Sequence, residues 1–216
     1  MKTDSTLQAE VEEELKWEPS VTASNIGVSV NDGVVTLSGT VPTYAEKWAA
    51  EKAAGRVAGV KAIAEELQVK LFGPHQRNDT EIAEAAAQSI KWHVWVPIGI
   101  QATVEKGWVT LQGEVSWDFQ RKAAFDAVRY LPGVVGASND ITVKPTVQPS
   151  AVKEAIEKAL KRDAELDAEE IVVRTDGGKV TLSGNVHSWA DRNDAGQAAW
   201  NAPGVTAIQN DLTVTG

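Results

Sequence analysis

The chain has 216 residues, with 21 Lys and Arg against 30 Asp and Glu, a net charge of −9, and no cysteine. That balance sets the chain as a whole against nucleic acid and anionic membrane surfaces, and the missing cysteines rule out disulfides and thiol nucleophiles. No run of about 18 apolar residues is present to span a bilayer. The opening residues Met1 to Glu10 also lack the apolar core of a secretory signal, so the sequence as it stands is expected in the compartment where it is made, the cytoplasm.

The first predicted element is a helix. Leu7, Val11 and Leu15 recur at i, i+4 and i+8, Asp4 or Ser5 can cap it, and Pro19 helps to end it. Glu12, Glu13 and Glu14 lie beside this apolar stripe and read as a solvated face rather than a metal or acid–base cluster. A strand follows, with Ile26, Val28 and Val30 alternating. Asn31-Asp32-Gly33 then makes a hairpin turn into a second strand, Val35-Thr36-Leu37-Ser38-Gly39. Thr43 and Glu46 fit a capping box for a second helix, whose small residues Ala50, Ala53, Ala54 and Val57 suit close approach to a sheet. Gly59 ends that helix, and a third strand alternates through Leu67 and Val69.

The chain then repeats itself. The five-residue strand returns as Val109-Thr110-Leu111-Gln112-Gly113 and as Val180-Thr181-Leu182-Ser183-Gly184, at offsets of 74 and then 71 residues. A Gly precedes each copy (Gly33, Gly107, Gly178), and a Gly-Val pair follows each (Gly59-Val60, Gly133-Val134, Gly204-Val205). The helix stripes recur as Ile82, Ala86, Ile90, capped by Asp79, and as Val152, Ile156, Leu160, capped by Ser150. The other turns are Glu105-Lys106-Gly107 and Asp176-Gly177-Gly178. A unit of about 70 residues used three times is the signature of a tandem array. The expected fold class is α+β: three α-β-β-α-β units, each with two helices on one face of a three-stranded sheet. Because the last strand follows a helical crossover, it is expected to pair parallel to a neighbour, giving a mixed sheet. Short Pro-containing linkers, Phe72 to Asn78 and Lys144 to Pro149, place the domains at 1–72, 77–145 and 148–216.

The hairpin Gly-x-Val-Thr-Leu-x-Gly-x-Val, the Ala-rich helix, the Gly-Val turn and the closing Asn139-Asp140-Ile141-Thr142-Val143 and Asn210-Asp211-Leu212-Thr213-Val214 together resemble the BON domain. That family is named for a bacterial osmotically induced periplasmic protein and for nodulation proteins. The resemblance spans nearly the whole chain in three copies. It implies the α-β-β-α-β fold, no catalytic residues and no cofactor. It also implies a transport-associated, stress-related role in binding phospholipid or membrane surfaces. Many members are periplasmic or outer-membrane lipoproteins, so a periplasmic location is the alternative to the cytoplasm, although this sequence shows neither a signal nor a lipobox Cys.

Nothing in the residues argues for an enzyme. The three histidines, His75, His93 and His187, occupy different repeat registers without ligand spacing. No nucleophile elbow or phosphate-binding loop is present. A KH-type nucleic-acid domain would need a G-x-x-G loop and a basic groove, whereas Arg121-Lys122 and Lys161-Arg162 are the only adjacent basic pairs.

The middle unit departs from its sisters. It is nearly neutral: residues 75–144 carry 7 basic and 8 acidic groups, against 7 and 11 in each of the flanking segments. It also places aromatic residues where the other copies are polar, small or aliphatic. Trp108 stands against Val34 and Lys179, Trp117 against Thr43 and Ser188, Phe125 against Glu51 and Gly196, and Tyr130 against Arg56 and Asn201. Trp92 lines up with Trp17 and reads as a shared packing residue, while Trp95 has no clear counterpart. Trp95, Trp108, Trp117, Phe125 and Tyr130, with Lys106, Arg121 and Lys122, form the candidate binding set. Three roles suit such a set: packing against neighbouring units, binding a protein partner or a second copy, and binding phospholipid or another hydrophobic ligand.

Overall fold

The computed structural model describes residues 2–73, 76–144, 152–160 and 171–215. His75, the linker from Pro145 to Pro149, the Ser150 cap and the Lys161-Arg162 pair fall outside the described residues.

Each repeat runs α-β-β-α-β. The first holds α1 (Asp4–Trp17), a 3-10 turn (Ala23–Asn25), β1 (Ile26–Asn31), β2 (Val34–Val41), α2 (Tyr44–Arg56) and β3 (Ala62–Val69). The second holds α3 (Asp79–Trp92), β4 (Gln101–Glu105), β5 (Trp108–Val115), α4 (Asp118–Arg129) and β6 (Gly136–Val143). The third holds α5 (Val152–Leu160), β7 (Ile171–Asp176), β8 (Lys179–Val186), α6 (Trp189–Trp200) and β9 (Ala207–Val214). Each sheet keeps chain order, with the second strand of the repeat central. The hairpins are antiparallel, and β5–β6 and β8–β9 are parallel, so these sheets are mixed. The chain gathers into two compact units: the middle repeat with Val41–Ala45 (Val41–Ala45, Val69–Thr146) forms one, and most of the first repeat with the third (Met1–Thr40, Glu46–Gln68, Val147–Gly216) forms the other.

Period-2 alternation explains the layering. In β5, Val109, Leu111 and Val115 are buried beneath Ile82, Ala86 and Ile90 of α3 and Ala124 and Val128 of α4. Trp108, Gln112 and Glu114 point to the opposite, open face. Their sisters Val34 and Lys179 are exposed in the same register, as expected where a Lys is tolerated.

The repeated glycines mark backbone that other residues adopt only under strain. Gly39, Gly113 and Gly184 close the five-residue motif at φ 127, 141 and 128°. At Gly113 a Cβ would stand 2.9 Å from the Gly99 carbonyl oxygen. The hairpins turn through two residues with positive φ, Asp32-Gly33 at 51 and 80° and Lys106-Gly107 at 51 and 77°. That geometry matches the right-handed twist of the flanking strands.

Two helix caps differ from expectation, for one shared reason. Thr3 caps α1 by accepting from the Thr6 N–H, and Asn78 caps α3 in a reciprocal box with Glu81. Asp4 and Asp79, one residue inside each helix, reach across to the hairpin instead. Asp79 accepts from the Lys106 and Gly107 N–H groups at 2.7 and 2.8 Å, and Asp4 accepts from Asp32 and Gly33 at 2.8 and 3.1 Å.

A second staple explains the closing Asn-Asp motif. Asn139 Nδ2 donates to the Arg121 carbonyl of α4 at 2.9 Å, and Asn210 Nδ2 donates to the Arg192 carbonyl of α6 at 2.8 Å. Each Asn Oδ1 accepts from the backbone two residues on, Ile141 or Leu212. In the first repeat Glu65 takes this position: it accepts from the Leu67 N–H and pairs with Lys47 at 2.7 Å. The staple satisfies N–H groups on edge strands and fastens those strands to the helix above.

Candidate functional site: an apolar tip on the middle repeat

The loop between the first helix and first strand of a repeat is eight residues long in both repeats where it is described, 18–25 and 93–100. The two loops have corresponding hydrogen bonds. Val21 N donates to the Glu18 carbonyl as Val96 N does to that of His93, and Ser20 N meets the Glu18 side chain as Trp95 N meets His93 Nδ1. Ser20 is therefore the counterpart of Trp95 and Pro19 of Val94; at the strand end Gly99 and Ile100 lie against Gly113 as Asn25 and Ile26 lie against Gly39, which sets Ile98 against Ser24. In the first repeat this loop is polar and tied down, with Glu18 bonded to Ser20 and to Arg56. The Ser20 and Arg56 bonds hold the Glu18 carboxyl below its ordinary value.

In the middle repeat the same turn presents apolar side chains to solvent. Val94 is 82 % exposed, Trp95 58 % and Ile98 fully exposed. Trp95 meets Phe119, in the first turn of α4, edge to face at 5.8 Å and 85°, an arrangement worth about 0.5–1.5 kcal/mol beyond area burial. Phe119 is itself 44 % exposed, and its counterparts are Ala45 and Ala190. The tip of Val94, Trp95, Ile98 and Phe119 is thus specific to this repeat when compared with the first. Val94, Ile98 and Phe119 were missed from sequence. Comparing the two loops residue by residue would have found Val94 and Ile98, and the 74-residue offset of the strand motif, which sets Phe119 against Ala45, would have found Phe119.

The structure divides the expected binding set among three places. Trp95 and Trp117, the half-buried N-cap residue of α4, stand at the end of the sheet where β5 finishes. Trp108 and Lys106 stand at the other end, about 23 Å away along the seven residue steps of β5. There the Trp108 ring covers Gly136 on the open face, and its Nε1 donates to Ser138 Oγ at 3.0 Å. Phe125 and Tyr130 flank Arg129 near the end of α4, with the guanidinium 5.9 and 4.7 Å from their ring centres.

The cations are divided too. Asp118 is buried at the start of α4, where Arg121 and Lys122 pair with its carboxylate, Lys122 at 3.2 Å. Both positive charges therefore balance a buried negative one. Lys106 extends into solvent far from the tip. Trp92 corrects the sequence reading: it is 77 % exposed and Trp17 is 84 % exposed, so neither is a packing residue. Trp92 instead lines a shallow groove with Gln88 and Pro132.

Among the described residues, no group of three or more His, Asp or Glu gathers as a metal site, and no helix is long and apolar enough to cross a membrane. Three α-β-β-α-β repeats define a tandem array of small α+β units, and of the two whose first loop is described, the middle one carries an apolar tip. The BON domain matches residues 3–70, 78–145 and 150–216, and the chain belongs to the BON domain family. No curated protein matches it.

Among solved structures the chain is similar to CdsD, a structural protein of the type III secretion system of Chlamydia trachomatis, at 16 % identity and a TM-score of 0.27, covering 97 % of this chain and 92 % of that one. The C-terminal domain of CdsD matches at 14 % identity and a TM-score of 0.28 with both chains fully covered. The PrgH periplasmic domain matches at 12 % and 0.21, covering 89 % of this chain and 96 % of that one.

Proposed function

We propose that the chain is a non-catalytic, stress-associated binding protein whose middle repeat engages a phospholipid surface or other hydrophobic ligand through the tip of Val94, Trp95, Ile98 and Phe119. The observation that carries this is the exposure of Val94, Trp95 and Ile98 on a turn whose backbone is closed by its own hydrogen bonds, with the exposed Phe119 of α4 beside them. Trp at a bilayer boundary gains from burying its ring while its N–H stays near the headgroups. Because Arg121 and Lys122 serve Asp118, the tip has little electrostatic pull of its own, and its attraction is apolar.

The test is flotation of the intact chain with neutral and with anionic vesicles, at low and high salt. Binding is expected to both kinds with little salt dependence. Trp95→Ala should weaken it about tenfold, from loss of roughly half a buried aromatic side chain. A chain that stays soluble with both kinds of vesicle sinks the lipid reading.

The alternative is that the tip contacts a protein, including a second copy of the chain. The net charge of −9 favours it, because that charge opposes approach to an anionic surface. Sedimentation equilibrium showing a dimer that Trp95→Ala converts to monomer would establish self-association.

A further inference from the structure

Helices α2 and α6 of the first and third repeats lie side by side. Gly55 of α2 leaves room for the Trp189 indole, whose Cδ1 would sit 3.2 Å from a Cβ at that position, and the Gly59 N–H donates to the His187 carbonyl at 3.2 Å. Between the helices opens a cleft of about 290 Å³, at the small end of ligand pockets. Its walls carry Trp48 and Trp189, the carboxylates of Glu51 and Asp194, and Lys52.

This cleft combines chemistry for both signs of charge. Each indole already carries a cation from its own helix, Lys52 at 5.2 Å over Trp48 and Arg192 at 4.9 Å over Trp189, the same attraction an ammonium group in the cleft would draw on. Arg56 also lines the cleft, but Glu14 and Glu18 hold its guanidinium at 2.8 and 2.9 Å. Lys52 is left as the cation best placed to meet an incoming carboxylate. Although much of the Glu51 side chain is exposed, partial burial, then the nearby Glu65, push its carboxyl above the ordinary value against the opposing pull of Lys52 and Lys47, so a bound ammonium group would add to the charge those two lysines supply.

We propose that this cleft binds one small zwitterion, its methylated ammonium group between the indoles and the carboxylates of Glu51 and Asp194 and its own carboxylate toward Lys52. The site lies on the first and third repeats and does not depend on the apolar tip.

Calorimetric titration of the full chain with trimethylglycine tests it, with tetramethylammonium and acetate as the separate halves. One saturable site is expected. Trimethylglycine should bind more tightly than either half, and Glu51→Gln and Asp194→Asn should each weaken it about tenfold, the worth of one lost charge partner. Trp95→Ala should leave it unchanged. No saturable response in the millimolar range overturns the proposal, as does unchanged affinity in Glu51→Gln. Tetramethylammonium or acetate binding as well as the zwitterion would overturn the assignment of ligand class.

Discussion

Replacing Asp79 by Ala removes the carboxylate that joins the start of α3 to the hairpin turn between β4 and β5. Two bonds are lost, to Lys106 N at 2.7 Å and to Gly107 N at 2.8 Å. They are not equivalent. Lys106 is exposed, so water can replace its partner, whereas Gly107 is buried and its N–H would be left unsatisfied. A bond to a charged group contributes about 1.5–3 kcal/mol, and an orphaned buried donor costs about 1–3 kcal/mol. The Asp also favours the positive end of the helix dipole by about 0.3–1 kcal/mol. Counting the Gly107 bond fully and the other terms weakly gives roughly 2–3 kcal/mol. A repeat of about 70 residues has roughly 3.5–10 kcal/mol in all, so the loss is a large share of the middle repeat's stability. Asp79→Asn keeps one acceptor oxygen without its charge and is expected to cost about 1 kcal/mol. Urea unfolding, with amide exchange followed at Gly107, separates these values. Glu84→Ala on the exposed face of α3 serves as the control and should change stability by less than about 0.5 kcal/mol. If Asp79→Ala behaves like that control, the link between helix and hairpin is not what holds this turn.

Gly113→Ala should unfold the middle repeat or cost about 3–5 kcal/mol, because φ 141° is strained for Ala and the new Cβ would meet Ile100 Cδ1 at 2.8 Å and the Gly99 oxygen at 2.9 Å. A normal denaturation curve for that variant would contradict the account of the motif. Glu51→Gln should raise the urea midpoint at about pH 7 and give no gain at about pH 4. The folded-state carboxyl titrates above its ordinary value of 4.5, so proton binding favours the folded chain; that stability is fully present below the ordinary value and lost as pH rises through the raised one. A gain of equal size at both pH values would mean the effect does not come from this charge.

The fold was legible in the sequence because repetition acted as an internal alignment. Positions that bury side chains or force φ positive recur in all three copies: Val35, Val109 and Val180 in the cores, and Gly39, Gly113 and Gly184 at the positive-φ position within each central strand. The caps were read one residue late, because Asp4 and Asp79 look like caps until the hairpin they serve is placed 28 residues away in the chain. The site was only partly legible. Register comparison picked out Trp108, Trp117, Phe125 and Tyr130 as private to the middle repeat, but a strand eight residues long separates its two ends widely, and sequence order does not say which end a residue occupies. Nor could it show that Arg121 and Lys122 are engaged by Asp118, which looks like an ordinary first-turn acid until its burial is known.

The private residues fall where the scaffold permits change. In the loop after the first helix, backbone bonds are made locally, Val21 to Glu18 and Val96 to His93, so the turn forms whatever side chains its middle carries. Pro19 and Ser20 can become Val94 and Trp95 without altering a core contact, whereas Gly113 or Asp79 cannot change without breaking one. Exposed Trp, Val and Ile contribute nothing to folding while they remain in water, and they raise the risk of aggregation. Their concentration on one turn, where the first repeat writes an ion-paired polar loop, is the basis of the binding surface proposed above, since packing within the repeat covers them only in part, through Phe119 beside Trp95.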